Sequence, residues 1–331
     1  MENLPKVSIA TPTFNRRPFI PYLIKSIENQ DYPKDKIEWV IVDDGTDKIK
    51  DLVCNLDYVK YYEYEEKLPL GKKRNIMNSK CSGDIIVYFD DDDYYPMERI
   101  RHAVEELINS NFLVAGSSKM HIYYKDIDKM YSFGPFGSFH STAATLAFKR
   151  ELLDLTSFND DDCIAEEKAF LKNYKIPLLQ LNSIKTILVF RHIHNSYDKN
   201  DLLKEDVRTI KELTTLTPVD FFKQNTELQD FYTTKNIDDA LIDYDAGKLK
   251  NKPDVIKQME SLKKQREKMM KQMNNETPKT TSLQQTQEQK MISVDEYNNM
   301  KNSYEKAIQQ KSLLIDKLLL KIRQLQEATK K

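Results

Sequence analysis

From residue 6 to about residue 190 the chain alternates short β-branched or aromatic runs with helix-length segments, and this alternation constrains its fold more than any other feature. VSIAT (7–11), WVIVD (39–43), VKYYEY (59–64) and DIIVYF (84–89) read as strands. Residues 18–30 and 71–80 have helical composition, and residues 97–109 place Ile100, Val104, Leu107 and Ile108 on one helical face. Strand and helix in alternation imply an α/β fold: a Rossmann-like, mostly parallel sheet flanked by helices, joined by right-handed crossovers. In such sheets ligands bind beyond the carboxyl ends of the strands. Three of these ends carry polar clusters: TPTFN after the first strand, DDGTD after the second and DDDD after the fourth.

Composition matters mainly for the residues beyond this segment. With 40% hydrophobic and 31% charged residues, a core is affordable but part of the chain must stay solvated. Residues 206–273 read as a helical extension whose basic stretch KKQREKMMKQ (263–272) forms a solvated helix face. Residues 274–292, rich in Thr and Gln and poor in large apolar groups, read as a disordered linker after the 1–205 catalytic-sized domain and its extension. A new helix starts at the capping box Ser293-Val294-Asp295-Glu296. Heptads from Val294 to Leu325 carry apolar residues at eight of ten core positions, with Lys301 and Lys311 as the exceptions. This predicts a C-terminal coiled coil over 293–331 and a homo-oligomer; a helix packed back on the domain is the alternative.

A net charge of -1 excludes a general nucleic-acid binder. Cys54, Cys81 and Cys163 are odd in number and far apart, so no disulfide framework or zinc cluster is readable, and a reducing, cytoplasmic setting is expected. No run approaches the ~20 apolar residues of a membrane span. Attachment to a membrane periphery stays open.

Four consecutive aspartates, Asp90, Asp91, Asp92 and Asp93, directly follow a buried-type strand. That much negative charge needs a cation or solvent, and oxygen-only ligands suit Mg²⁺ or Mn²⁺. In order and spacing, VSIATPTFNRR, VIVDDGTD and GDIIVYFDDDD together resemble a family 2 glycosyltransferase of the GT-A fold. The resemblance covers roughly the first two hundred residues.

The resemblance implies an inverting, metal-dependent glycosyltransferase that uses a nucleotide sugar, UDP-linked, and a hydroxyl acceptor on a glycan or protein. Thr11 matches the position beside the nucleobase and Asp44 the aspartate that accepts the uracil N3–H. Asp43 is its neighbour, and both aspartates have turn capping as an alternative role. Gly71 starts the helix that carries Arg74, which matches a basic residue near the base or diphosphate. Counting from Gly83 aligns Asp90, Asp91 and Asp92 with an Asp-x-Asp motif, giving Asp92 to the metal and Asp90 or Asp91 to the ribose or a metal-bound water. Counting back from Pro96 favours Asp91 for the metal instead.

Glu167 occupies the family's base position and Glu166 that of its partner. His192 or His194, in RHIHNS, matches the closing histidine that completes metal or diphosphate binding, with His192 the first choice. The glycine- and aromatic-rich residues 131–147 suit an acceptor platform, or a hairpin that fills the core. Two rivals are weighed. A sugar-1-phosphate nucleotidyltransferase needs a glycine-rich phosphate loop that TPTFNRR lacks, and an inactive scaffold working through its coil would not need Asp92 and Glu167.

Overall fold

The computed structural model describes residues 4–204, 210–223, 225–234 and 237–275. The coiled coil expected over 293–331, and the linker beyond residue 275, lie outside the described residues. Met1–Met269 form one compact unit.

Four parallel strands build its centre: β1 (Val7–Thr13), β2 (Ile37–Asp43), β3 (Val59–Glu63) and β4 (Ile85–Tyr88). Every residue of β1, β2 and β4 is buried, as expected where helices cover both faces of a sheet. Side chains alternate between two cores. Ile9, Trp39, Ile41 and Val87 face one, whereas Ala10, Val40, Val42, Ile86 and Tyr88 face the other.

Helix α1 (Ile20–Glu28) buries Ile20, Leu23 and Ile27, one stripe at helical spacing. The short α2 (Lys50–Val53) follows β2. Helix α3 (Leu70–Lys80) differs, because its buried positions include Lys73, Arg74 and Asn78 beside Met77. Helix α4 (Arg99–Ile108) buries Ile100, Val104 and Leu107, but Ile108, expected on that face, is 49% exposed at the helix end.

Strands β5 (Val114–Gly116), β6 (Met120–Tyr124), β7 (Lys129–Phe133), β8 (Ala147–Lys149), β9 (Leu179–Gln180) and β10 (Val189–Phe190) complete two sheets with β11 (Lys211–Leu213). The large sheet has the order β3-β2-β1-β4-β8-β5-β9 and is mixed, because β8 runs antiparallel to both β4 and β5. Of the second sheet, β10-β6-β7-β11, the sequence shows only the strand-like run TILVF (186–190), which ends in β10.

The segment read as a helical extension over 206–273 also contributes a short strand. Lys211–Leu213 adds a strand to the edge of β7, and Phe221, Phe222, Phe231 and Tyr232 pack with Phe19, Tyr94 and Phe190 in a third core. Only the last described helix, Pro253–Asn275, has the length foreseen. Strand order reverses between β1 and β4, so a crevice opens beyond their carboxyl ends.

Candidate functional site

Beyond β1 the chain turns at Asn15, whose φ of 53° lies in the left-handed region that asparagine tolerates. Its side chain accepts from the Asp47 amide at 2.9 Å and donates to the Ala246 carbonyl at 3.0 Å, tying this turn to the one after β2 and to the 245–247 segment. Arg16 then enters the crevice, only 4% exposed. It lies 3.6 Å from Asp91 and 3.3 Å from Asp92, and donates to the carbonyls of His194 (2.8 Å) and Gly247 (3.2 Å).

The two aspartates after β2 are spoken for. Asp43 accepts from the Gly45 amide (2.8 Å), the Ile49 amide (3.1 Å) and the Tyr61 hydroxyl (2.6 Å), so its carboxylate shapes the turn. Asp44 pairs with Lys73 and accepts from the Leu68 amide at 2.7 Å. Thr11 lies in mid-strand and accepts from the Trp39 indole at 2.9 Å. None of the three lines the crevice, although Lys73 does.

Asp90, Asp91 and Asp92 all line it, together with Arg16, Lys67, Lys73, Arg74 and Lys252. Burial, then the charge of Asp92, pushes Asp91 up to about 7. Burial also works against ionisation of Asp92, but Arg16 and His192 more than offset it and hold its carboxyl well below the usual range. Asp93 is not part of the crevice lining and is pushed well above the carboxylate range by burial and Asp92.

His192 reaches Asp92 with Nε2 at 3.1 Å and packs on Phe19, its centroid 4.9 Å away. Burial pulls His192 down to about 4, so a neutral imidazole orients Asp92. His194 does not join them. Its ring sits beside Tyr244 and against Gly247, where an added Cβ would meet Nδ1 at 2.6 Å.

Helix α3 supplies the link to the glutamate pair. A Cβ on Gly71 would fall 2.0 Å from the Asn159 carbonyl oxygen, so glycine lets the helix start press against residues 159–162. One turn on, Arg74 is 2% exposed, with Nε 2.6 Å from Glu166 and Nη2 3.2 Å from Asp90. Glu167 opens the short α5 (Glu167–Phe170). Burial, then the charge of Glu166, raises it to about 7, and the Tyr174 hydroxyl donates to it at 3.3 Å. Tyr174 in turn packs on His140 at 4.8 Å, and His140 on Phe136 at 5.1 Å, which joins the aromatic 131–147 segment to Glu167.

The fourth wall comes from far along the sequence. Lys252 is 6% exposed and donates to Ser196 Oγ at 2.9 Å. Burial, then Arg16, pulls its ammonium down to about 7. The crevice holds about 150 Å³, less than the ~300–1,000 Å³ typical of ligand sites, so a whole nucleotide sugar would extend beyond it.

Among the described residues no three carboxylate, imidazole or thiolate groups converge as a ready cage for a metal. That arrangement still suits Mg²⁺ or Mn²⁺, which take one or two carboxylates and complete their shell with phosphate and water. Asp91 and Asp92 face the crevice as hard oxygen donors, with Arg16 holding their charge meanwhile.

Arg16, Lys73, Ser196 and Lys252 escape sequence reasoning. Arg16 and Ser196 lie inside quoted motifs without an assigned role, and the buried polar face of α3 is a usable signal for Lys73. Nothing local marks Lys252. No helix among the described residues is long and apolar enough to cross a membrane.

A family model described as Glycosyl transferase family 2 matches residues 8–174. Over 97 residues the chain is 39% identical to the GalNAc(5)-diNAcBac-PP-undecaprenol beta-1,3-glucosyltransferase of Campylobacter jejuni, spanning 27% of this chain and 30% of that protein. Over 111 residues it is 32% identical to the poly(ribitol-phosphate) beta-N-acetylglucosaminyltransferase TarS of Staphylococcus aureus, spanning 30% of this chain and 18% of that one. These matches span less than a third of either relative's length. Among solved structures, S. aureus TarS 1–349 in complex with UDP is 21% identical with a TM-score of 0.43, over 57% of this chain and 61% of that one. A mannosyltransferase from Pyrobaculum calidifontis in complex with GDP-Man and Mn²⁺ is 22% identical with a TM-score of 0.46, over 56% and 57%.

Proposed function

This chain belongs to glycosyl transferase family 2, and from that premise we propose that it moves a sugar from a nucleotide donor, UDP-linked, to a hydroxyl acceptor with inversion at the anomeric carbon. The observation that carries this reading is Arg74. One buried guanidinium joins Asp90, on the donor crevice, to Glu166, the neighbour of Glu167. On this reading the donor-binding and acceptor-activating groups stand side by side.

In the proposed reaction Glu167 takes the proton of the acceptor hydroxyl while that oxygen bonds to the anomeric carbon and the bond to the diphosphate breaks. A carboxyl held near 7 is well matched to this work, because it is a stronger base than an ordinary glutamate yet is substantially ionised at neutral pH. Tyr174 steadies it, and the exposed Phe136 with His140 offers an acceptor a surface on which to rest. Arg16 and Arg74 orient the diphosphate. Mn²⁺ or Mg²⁺ at Asp91 and Asp92 would supply charge neutralisation for the leaving group. Both curated relatives are named as beta-transferases, which supports the class.

The test is release of nucleotide from a panel of UDP- and GDP-linked sugars with Mn²⁺, with and without simple sugar acceptors. The expected result is turnover with at least one UDP-sugar and loss of it in chelator. Turnover with GDP-sugars alone would correct the donor, and none with any donor would remove the activity. Oligomerisation through residues 294–325 is a separate proposal; deleting 293–331 should lower the mass seen by light scattering.

A further inference from the structure

Five cations line the crevice, and four of them have a carboxylate at ion-pair distance. Arg16 has Asp91 and Asp92, Lys67 has Asp254, Lys73 has Asp44, and Arg74 has Asp90 and Glu166. Lys252 is the exception among the described lining residues: its hydrogen bond goes to a neutral hydroxyl, Ser196 Oγ, at 2.9 Å. Asp91 and Asp92 attract this ammonium only from beyond ion-pair distance, and a buried ammonium so weakly paired is costly, with three donors to satisfy. Burial at 6% exposure leaves water little room to do so. An anion entering the crevice would complete it.

The wall that carries Lys252 is tied to the loops around the crevice. Asn15 and Arg16 donate to the carbonyls of Ala246 and Gly247 at 3.0 and 3.2 Å, and Tyr244 donates to Asp47 at 2.8 Å. Beyond Lys252, Asp254 pairs with Lys67 at 2.5 Å, and Gln258 accepts from the amides of Cys163 and Ile164 at 2.7 and 2.9 Å. The same stretch therefore touches the turns after β1 and β2, the loop before α3 and the approach to the glutamate pair. It lies entirely beyond residues 8–174, the part the family model describes.

We propose that Lys252 is a donor-site residue, contributed from outside the family's matched region, whose ammonium binds the diphosphate of the nucleotide sugar. The proposal rests on the glycosyltransferase reading above. On departure of the nucleoside diphosphate the ammonium shares the charge left on the leaving oxygen. Ser196 holds the ammonium in place when the crevice lacks an anion.

The experiment is calorimetric binding, with Mn²⁺ present throughout, of UDP, GDP and the matching nucleosides, uridine and guanosine, to the full chain and to Lys252→Met and Lys252→Arg. Whichever diphosphate the wild type binds should bind Lys252→Met about tenfold to a hundredfold more weakly, the scale of one charge-assisted contact. The nucleoside should bind both alike, and Lys252→Arg should recover most of the loss. Without ligand, Lys252→Met should melt at the same temperature as wild type or higher, because it removes a buried charge that no carboxylate meets at ion-pair distance. Equal diphosphate affinity in Lys252→Met overturns the proposal. So does a lower melting temperature accompanied by equal loss of nucleoside and diphosphate, which marks a structural strut. A wild type that binds neither diphosphate removes the glycosyltransferase reading itself, and the proposal falls with it.

Discussion

The central sheet buries acidic groups at both ends, and they are treated in opposite ways. At the amino ends of the strands Glu38 is 4% exposed and receives Lys6 and Lys60, each at 2.8 Å, the Ser8 and Ser82 hydroxyls at 2.5 and 2.6 Å, and the Ser82 amide at 2.6 Å. Burial opposes its ionisation, but these donors outweigh it and depress its pKa. At the carboxyl ends, Asp91 is raised, Asp92 is lowered and Asp93 is raised, although the three are adjacent in sequence. A fully donated carboxylate holds strands together. Asp91 and Asp92, by contrast, share the one guanidinium of Arg16 and face the crevice.

The largest effect is expected at the glutamate pair beside the carboxyl edge of the sheet. Glu167→Gln keeps the side chain's shape but not its basicity, so transfer should fall by about 10² to 10⁴ while nucleotide affinity is unchanged. In the wild type the carboxyl is protonated and inactive below its raised pKa, so the transfer rate should climb as pH rises through about 7. Stopped transfer assays across pH, with calorimetry alongside, check both. A variant with unaltered transfer moves the base elsewhere, with Glu166 the next candidate.

Asp92→Asn should reduce turnover by at least about a hundredfold, the scale of one lost transition-state electrostatic contact. It should also weaken Mn²⁺ binding to the UDP complex, read by calorimetry without any turnover. If Asp91→Asn loses Mn²⁺ instead, the ligand is one residue earlier and Asp92 belongs to Arg16 and His192.

Glu38→Gln should leave turnover per folded molecule intact and lower stability by about 2 kcal/mol at neutral pH, since it loses charge-assisted hydrogen bonds. Because folding depresses the Glu38 pKa, its contribution is present above the ordinary glutamate pKa of about 4.3 and fades as pH falls. Urea titrations at two pH values measure this. A turnover defect without a stability defect would mean the lower edge is not purely structural.

The strands and helices up to residue 109 are legible because their signals are local: β-branched and aromatic runs in β1, β2 and β4 and apolar stripes in α1 and α4. The second sheet is less so: TILVF shows β10, but β11 has three residues, too short to show alternation. At the site, the motif positions can be named, yet their partners cannot. Arg16 reaches Asp92 across 76 residues, and His192 does so across 100. Lys252 is invisible for the same reason: one lysine among many, given meaning only by the segment that brings it back. Thr11 and Asp43 show the converse, with motif residues whose side chains are taken up by Trp39 and by the turn.

The central claim is that the carboxyl edge of the sheet, and not its amino edge, receives the nucleotide. A second cavity of about 680 Å³ does lie at the amino edge, between Asp84, Lys149 and Arg150, so the alternative is concrete. Hydrogen exchange read by mass spectrometry, with and without UDP and Mn²⁺, separates the two. Slowed exchange is expected in peptides covering residues 13–16, 43–48, 68–74 and 90–93, with no change around residues 5–8, 82–85 and 149–154. Protection confined to the amino-edge peptides would contradict the account.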